Sequence, residues 1–379
     1  MVDSTISRLN VIIGAQDRAT SVIDRITGKL SGLGKQGILM GATFAALNYG
    51  LGIVMSSIQR IGEYLGEAVD KFYEFDKAIT EVATMLDKTE LKYIPELKKG
   101  ITEISIAFGQ SAIDTTRALY QALSAGISVT DSLRFMWEAS KLAKAGLASL
   151  ETTVDVLTTV MNAYGMSASQ VSRVSDIMMA TVVKGKLRLE DLANSLGYVV
   201  PIAAKAGISF EEVSAAMATL TKQGINAQIA SRNLRQLISN LIAPSEESKD
   251  AMAELGIAYD ELTVRARGLG GTLNMIMDAT GGSISKMKEL IPNIQALNAA
   301  LALGANNGEI FANSLEYIEN ALGEVDRKFK EITKSPEFKR SVVQAYIEGQ
   351  KREIGEMWQP ITLEWEKFKI GFMKGGWLA

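Results

Sequence analysis

A short unit that ends one helix and opens the next recurs through the middle of this chain. The unit is glycine, one variable residue and serine, with copies at 109–111, 126–128, 165–167 and 207–209. Glycine adopts the left-handed conformation that ends a helix without steric strain. Serine is a preferred first cap of a helix, because its hydroxyl accepts a hydrogen bond from a free amide. The unit therefore predicts helical hairpins joined by very short turns.

Each serine also has an acidic or amide residue three positions later, where a capping box has Glu or Gln and where Asp is a shorter substitute. These partners are Asp114, Asp131, Gln170 and Glu212. The sequence thus predicts two sets of cap residues: the helix C-caps Gly109, Gly126, Gly165 and Gly207, and the helix N-caps Ser111, Ser128, Ser167 and Ser209. The apolar residue after the glycine is expected to fold back on the preceding helix. Variants of the unit at 145–149, 223–226 and 255–260 extend the series.

The same serines do not form a hydrolase site. A nucleophile elbow needs a second glycine and a preceding strand, and all four copies lack both. The chain contains no histidine and no cysteine, which excludes a Ser-His-Asp triad, a Cys-His peptidase and a Cys/His zinc site. A hydrolase that uses a single glutamate stays open, although no carboxylate stands in a recognisable catalytic pattern. We therefore predict no enzyme activity, no catalytic residue, no metal and no cofactor.

Composition supports a helical protein. The chain is 47% hydrophobic and 22% charged, with six prolines in 379 residues. Its formal net charge of -3 gives no electrostatic basis for sequence-specific nucleic-acid binding. The predicted fold class is all-α, an array of short antiparallel helix hairpins flanked by longer amphipathic helices, with one candidate transmembrane helix.

The candidate transmembrane helix is the uncharged segment 36–59. Its length is sufficient, because about 20 apolar residues span a bilayer. Gly37 and Gly41 have the spacing that lets helices approach closely, and Tyr49 is placed at the edge of such a contact. Burial inside an oligomer explains the segment equally well, since glycine, alanine and asparagine dilute its hydrophobicity. Residues 1–35 carry a stripe of apolar residues that predicts an amphipathic helix able to form a coiled coil.

The rest of the chain divides into four regions. They are a helical lead-in at 60–107, a helical-hairpin core at 108–264, a glycine-rich boundary with a continuation of the core at 265–330, and amphipathic C-terminal helices at 331–379. Five glycines between 268 and 282 predict a loose segment there. The sequence also predicts a buried helix within 290–308 and a new helix starting at Ser335-Pro336, which Pro360 interrupts.

The order of these segments resembles the core region of phage tail tape measure proteins. The lead-in "FDKAITEVATML" (75–86) is followed by four stretches that carry most of the resemblance: "AFGQSAIDTTRALYQALSAGIS" (107–128), "ASKLAKAGLASLETTVDVLTTVMNAYGMS" (139–167), residues 189–241 and residues 291–329. The resemblance covers roughly 75–330 and does not distinguish a virus from a prophage or a related tail-like machine.

The resemblance implies a structural protein that sets tail length and leaves the tail tube ahead of DNA. The uncharged segment 36–59 adds a separate hypothesis, that it serves as an oligomer contact before ejection and passes through the host membrane after it. The implied partners are further copies of the chain, the tail tube protein, tail assembly chaperones and the tail-tip or baseplate hub. The implied locations are the lumen of the virion tail, the host cytoplasm during assembly and the host membrane on ejection. Family members are usually far longer, so either the tail is short or these 379 residues are part of a longer polypeptide, and the second is the expectation. The alternative is a membrane-active helical pore or translocator.

Overall fold

The computed structural model describes residues 63–374, with side chains described as far as residue 360. These residues form helices joined by short turns, and no strand occurs among them. The described residues from Leu65 onward belong to one compact unit. The all-α prediction is confirmed for this part of the chain. The predicted helix at 1–35 and the uncharged segment 36–59 lie outside the described residues.

The helices are numbered in chain order, and the first helix, α1, covers 63–83. The helices of the next part have the following bounds: α2 Ile94–Phe108, α3 Ala112–Ser124, α4 Val129–Gly146, α5 Leu150–Tyr164, α6 Val171–Lys184, α7 Leu189–Leu196, α8 Val200–Ala206, α9 Phe210–Lys222 and α10 Ala227–Ile242. The remaining helices follow without long loops: α11 Glu246–Leu255, α12 Glu261–Thr280, α13 Ile284–Leu290, α14 Ile294–Leu303, α15 Glu309–Glu319, α16 Glu324–Thr333 and α17 Pro336–Lys374.

Helix α9 lies at the centre of the core. Every residue from 213 to 221 is buried, and six of these nine residues are small: Ser214, Ala215, Ala216, Ala218, Thr219 and Thr221. A helix that is buried on all sides needs neighbours on all sides. Helices α6, α10, α14 and α15 supply them. The small side chains let these neighbours approach α9 closely.

The C-terminal helices fold back over the hairpin series. Helix α14 packs on α10, α15 on α9 and α6, α16 on α4 and α6, and α17 on α2. The hairpins are therefore not a linear array in which each unit contacts only its neighbours. Their apolar faces join those of the fold-back helices in one hydrophobic core.

Two expectations about individual segments are wrong. The loose segment predicted at 265–282 is mostly helical, because α12 continues to Thr280 and buries Leu269, Leu273 and Ile276. Helix α17 runs through Pro360 instead of being interrupted there. Proline removes one backbone hydrogen bond, and the exposed position of Pro360 lets the helix tolerate that loss.

Two other segments follow the sequence prediction. Helix α14 lies within 290–308 and buries five of its ten residues, Ala296, Leu297, Ala299, Ala300 and Leu303. Helix α17 begins at Pro336, and the hydroxyl of Ser335 accepts the amide of Phe338 at 3.1 Å. The N-terminal residues of α17 are thus capped in the expected way.

Candidate functional site at the capped turns

The glycine turns share one backbone geometry. Gly109, Gly165 and Gly207 follow directly on helices α2, α5 and α8, with φ values of 57°, 62° and 77°. Gly126 also has a positive φ of 95°, although Ala125 stands between it and the end of α3. At each turn two successive amides donate to carbonyls of the last helical turn, as Gly207 and Ile208 do to Ala204 and Ala203. This double hydrogen bond is the Schellman motif.

Three of the four predicted serines cap a helix through their hydroxyls. Ser111 accepts the amide of Asp114 at 3.3 Å, Ser128 that of Asp131 at 3.2 Å and Ser209 that of Glu212 at 3.1 Å. Ser167 differs, because its hydroxyl bonds Ser169 and its own amide donates to Gln170 at 3.0 Å. It opens a single 3₁₀ turn, Ala168–Gln170, which leads into α6.

The turn between α4 and α5 uses a leucine in the left-handed conformation. Gly146 is the last residue of α4, and Leu147 follows with φ 55° and 81% exposure. A Cβ at Gly146 would lie 2.3 Å from Leu189 Cδ2, so this glycine serves close packing against α7. The sequence signal was the spacing: Ser149 caps α5 and stands three residues after the glycine, one more than in the other units.

We expect Leu147→Gly to raise the free energy of unfolding by about 1 kcal/mol. A left-handed conformation costs an L-residue about 1–2 kcal/mol, and glycine avoids most of this cost. Leu322 is the matched control, because it has the same 81% exposure without a positive φ. The same substitution there should lower the stability. Urea unfolding measures both variants, and a stability loss in Leu147→Gly would contradict the expected strain.

The turn at 206–212 joins three parts of the fold. The hydroxyl of Tyr164 on α5 donates to the carbonyl of Ile208 at 3.1 Å, and burial raises the pKa of this tyrosine. Arg265 on α12 donates to the carbonyl of Lys205 at 3.1 Å. Glu212 accepts the amide of Gly270 at 3.2 Å. The residues around the predicted caps Gly207 and Ser209 therefore also contact helices distant in the chain.

A second set of polar contacts holds the turn between α15 and α16. Arg173 on α6 donates to the carbonyls of Ala321 at 2.6 Å and Glu319 at 2.9 Å. Asp176, one turn later, accepts the amides of Gly323 at 2.9 Å and Val325 at 3.0 Å. We call Arg173 and Asp176 the turn clasp.

The charges of the turn clasp suit the helix ends that they bind. The cation meets free carbonyls at the end of α15, and the carboxylate meets free amides at the start of α16. Sequence reasoning missed both residues. The available signal was a single carboxylate, Asp176, inside the otherwise uncharged run 174–183. Such a buried charge requires partners.

Acidic side chains are the candidates for metal binding or acid catalysis among the described residues, because the chain has no histidine and no cysteine. No group of three or more acidic side chains within them could hold a metal ion. Hydrogen bonds lower the pKa of Asp87, Asp260 and Glu331, whereas a carboxylic acid that donates a proton near neutral pH needs a raised pKa.

The predicted contact residues Gly37, Gly41 and Tyr49 lie outside the part of the chain that the structure describes. Within the described part, no helix combines the length and the hydrophobicity needed to span a membrane. The candidate span at 36–59 therefore stays a prediction from the sequence.

Comparison with known proteins identifies related sequences. The profile of the family described as "Phage-related minor tail protein" matches residues 98–291, about half of the chain. A "Probable tape measure protein" of Clostridium phage phiCD119 is 30% identical over 79% of this chain and 32% of its own length. The "Tape measure protein" of Pneumococcus phage Dp-1 is 23% identical over 68% of this chain and 21% of its own length.

A "Probable tape measure protein" of Escherichia phage P2 is 26% identical over 49% of this chain and 23% of its own length. The chain thus spans about a third or less of the length of these curated relatives. No solved structure matches it.

Proposed function

The chain belongs to the phage tail tape measure protein family, and we propose that it forms a folded region of a protein that sets tail length during assembly. The family match over residues 98–291 is the main observation that supports this proposal. It extends from within α2 to just past the end of α13, and contains the four turns at 109–111, 126–128, 165–167 and 207–209.

The packing of the chain supports different roles for its compact and its extended parts. A helix advances about 1.5 Å per residue, so length can be measured only by helix that runs along the tail. In the compact unit the chain reverses at each capped turn, and α14 to α17 return over earlier helices. We infer that the compact unit acts as a fixed assembly region, whereas extended helix in the polypeptide acts as the spacer.

The proposed location is the lumen of the virion tail, after assembly in the host cytoplasm. The proposed partners are further copies of the chain, the tail tube protein, tail assembly chaperones and the tail-tip or baseplate hub. Expulsion ahead of DNA, with passage of 36–59 through the host membrane, is part of the same proposal. The pore or translocator alternative depends on that segment alone, and the segment lies outside the described residues.

Deletions in a phage or prophage that encodes this chain test the division of roles. Removing residues 210–222 takes out α9 and exposes the faces of four helices, so we expect no assembled tails. Residues 361–371 belong to the part of α17 that lies beyond its described side-chain contacts, and we assign this part to the spacer. Removing them takes out about three turns and preserves the helix phase, so we expect tails shorter by about 16 Å. Electron micrographs of many particles measure both results. Tails of normal length after the deletion of α9 would contradict the proposed role.

A further inference from the structure

The connection between α14 and α15 contains three successive residues in the left-handed conformation. Asn306 has φ 52° and ψ 45°, Asn307 has φ 54° and ψ 33°, and Gly308 has φ 75° and ψ 5°. We call residues 306–308 the left-handed turn. Left-handed residues usually occur singly, because a Cβ makes this conformation unfavourable. The backbone of the turn therefore favours asparagine and glycine at these positions.

The left-handed turn also contains the only Asn-Gly dipeptide of the chain, at 307–308. Asparagine is thermolabile, because the backbone nitrogen of the next residue can attack its side-chain carbonyl carbon. Glycine in the next position leaves that nitrogen unhindered, since it has no Cβ. Asn307 is exposed, so water and base reach its side chain. The two residues that suit the backbone of the turn are thus also a chemically labile pair.

We propose that Asn307 is a deamidation site and that the folded left-handed turn holds the reaction back. In the reaction the backbone nitrogen of Gly308 gives its proton to base and bonds to Cγ of Asn307. The bond between Cγ and the side-chain nitrogen breaks, and this nitrogen takes up a proton and leaves as ammonia. The product is a five-membered succinimide ring, which one water molecule opens to aspartate or isoaspartate. Neither step oxidises or reduces any atom.

Two features of the folded turn oppose ring closure. The amide of Gly308 donates to the carbonyl of Gly304 at 3.2 Å, so the attacking nitrogen is already engaged. Closure also requires this nitrogen on the same side of the Cα–C bond as Cβ of Asn307, because both atoms belong to the ring. With ψ 33° at Asn307 the nitrogen points away from Cβ. The peptide must therefore rotate, which breaks the hydrogen bond and opens the turn.

The rate of deamidation then follows the fraction of chains in which the turn is open. Isoaspartate adds a methylene group to the main chain, and this longer backbone does not fit three successive left-handed residues. A chain that stays unfolded thus acquires a modification that keeps the connection between α14 and α15 from forming again. A folded chain keeps Asn307.

Ageing of the full 379-residue chain at mildly alkaline pH tests the site and its protection. One sample is folded, and the other is unfolded in concentrated guanidinium chloride. Trypsin then releases residues 289–327, and mass spectrometry of this peptide locates the gain in mass that accompanies deamidation. We expect Asn307 to react about tenfold faster, or more, in the unfolded sample than in the folded one. Equal rates in the two samples would overturn the protective role of the turn.

The same peptide contains the matched control. Asn306 is also left-handed and exposed, but asparagine follows it instead of glycine. In the unfolded sample Asn306 should react more slowly than Asn307 by about tenfold or more. Gly308→Ala should slow the reaction at Asn307 by a similar factor in the unfolded sample, where the strain of a folded turn is absent. Equal rates at Asn306 and Asn307 in that sample would overturn the assignment of the site.

Refolding tests the consequence for the fold. Asn307→Asp carries the new charge on an ordinary backbone, at the N-terminal end of α15, where a carboxylate is favourable. This variant should refold with the hydrogen exchange of the unaged wild type. The wild type aged in the unfolded state and then refolded should exchange faster at the amides of α15. Exchange as slow as in Asn307→Asp would contradict the irreversible loss of the turn.

Discussion

Replacing Gly268 by alanine should lower the free energy of unfolding by about 3 kcal/mol. Gly268 has φ 70° and ψ -177°, a combination that is essentially restricted to glycine. It divides α12 into two segments, and its carbonyl accepts the hydroxyl of Thr272 at the start of the second segment. The added Cβ would also lie 2.5 Å from Oε1 of Glu212.

The predicted loss has two components that a double-mutant cycle separates. One is backbone strain at Gly268, and the other is displacement of Glu212, which caps both Ser209 and Gly270. In a Glu212→Ala background the second component is absent, so Gly268→Ala should cost less than it does in the wild type. Equal losses in both backgrounds would show that Glu212 does not contribute.

Gly197 is the matched control for this substitution. It has a helical φ of -56°, and an added Cβ would meet no atom within 4 Å. Gly197→Ala should therefore leave the stability unchanged or raise it by up to about 1 kcal/mol. Urea unfolding monitored by circular dichroism measures the wild type, Gly268→Ala, Glu212→Ala, the double variant and Gly197→Ala. A Gly268→Ala variant as stable as Gly197→Ala would contradict the left-handed bend in α12.

Local structure was largely predictable, because the signals for a helix end are local. A glycine, an apolar residue and a serine determine the backbone over about five residues, and the turn at 207–209 has the hydrogen bonds that this pattern predicts. Leu147 escaped prediction, because a leucine in the left-handed conformation carries no composition signal of its own. Its only signal in the sequence was the position of Ser149, which stands three residues after Gly146 instead of two.

The long-range arrangement was not predictable from the same patterns. Periodicity shows which face of a helix is apolar, but it does not show which other helix covers that face. Arg173 and its carbonyl partner Ala321 are 148 residues apart in the sequence. The fold-back of α14 to α17 therefore became visible only in the structure, and with it the reason for a buried carboxylate at Asp176.

Asp176→Asn should lower the free energy of unfolding by about 2–3 kcal/mol and release α16 from the unit. Both carboxylate oxygens of Asp176 accept backbone amides, from Gly323 and from Val325. Asparagine keeps the size of the side chain but has one acceptor oxygen and an amide group that only donates. One of the two amides therefore faces a donor and loses its partner, and hydrogen bonds to a charged group contribute about 1.5–3 kcal/mol.

Asp155 provides the control, because it is exposed and its side chain makes no hydrogen bond within the described residues. Asp155→Asn should change the stability by less than about 0.5 kcal/mol. Hydrogen exchange then distinguishes local release from general weakening. If the turn clasp holds α16, Asp176→Asn accelerates exchange at Gly323 and Val325 more than in α9, which is buried on all sides. Unchanged exchange at these two amides would contradict a holding role for the turn clasp. It would show that apolar packing alone keeps α16 on the rest of the compact unit.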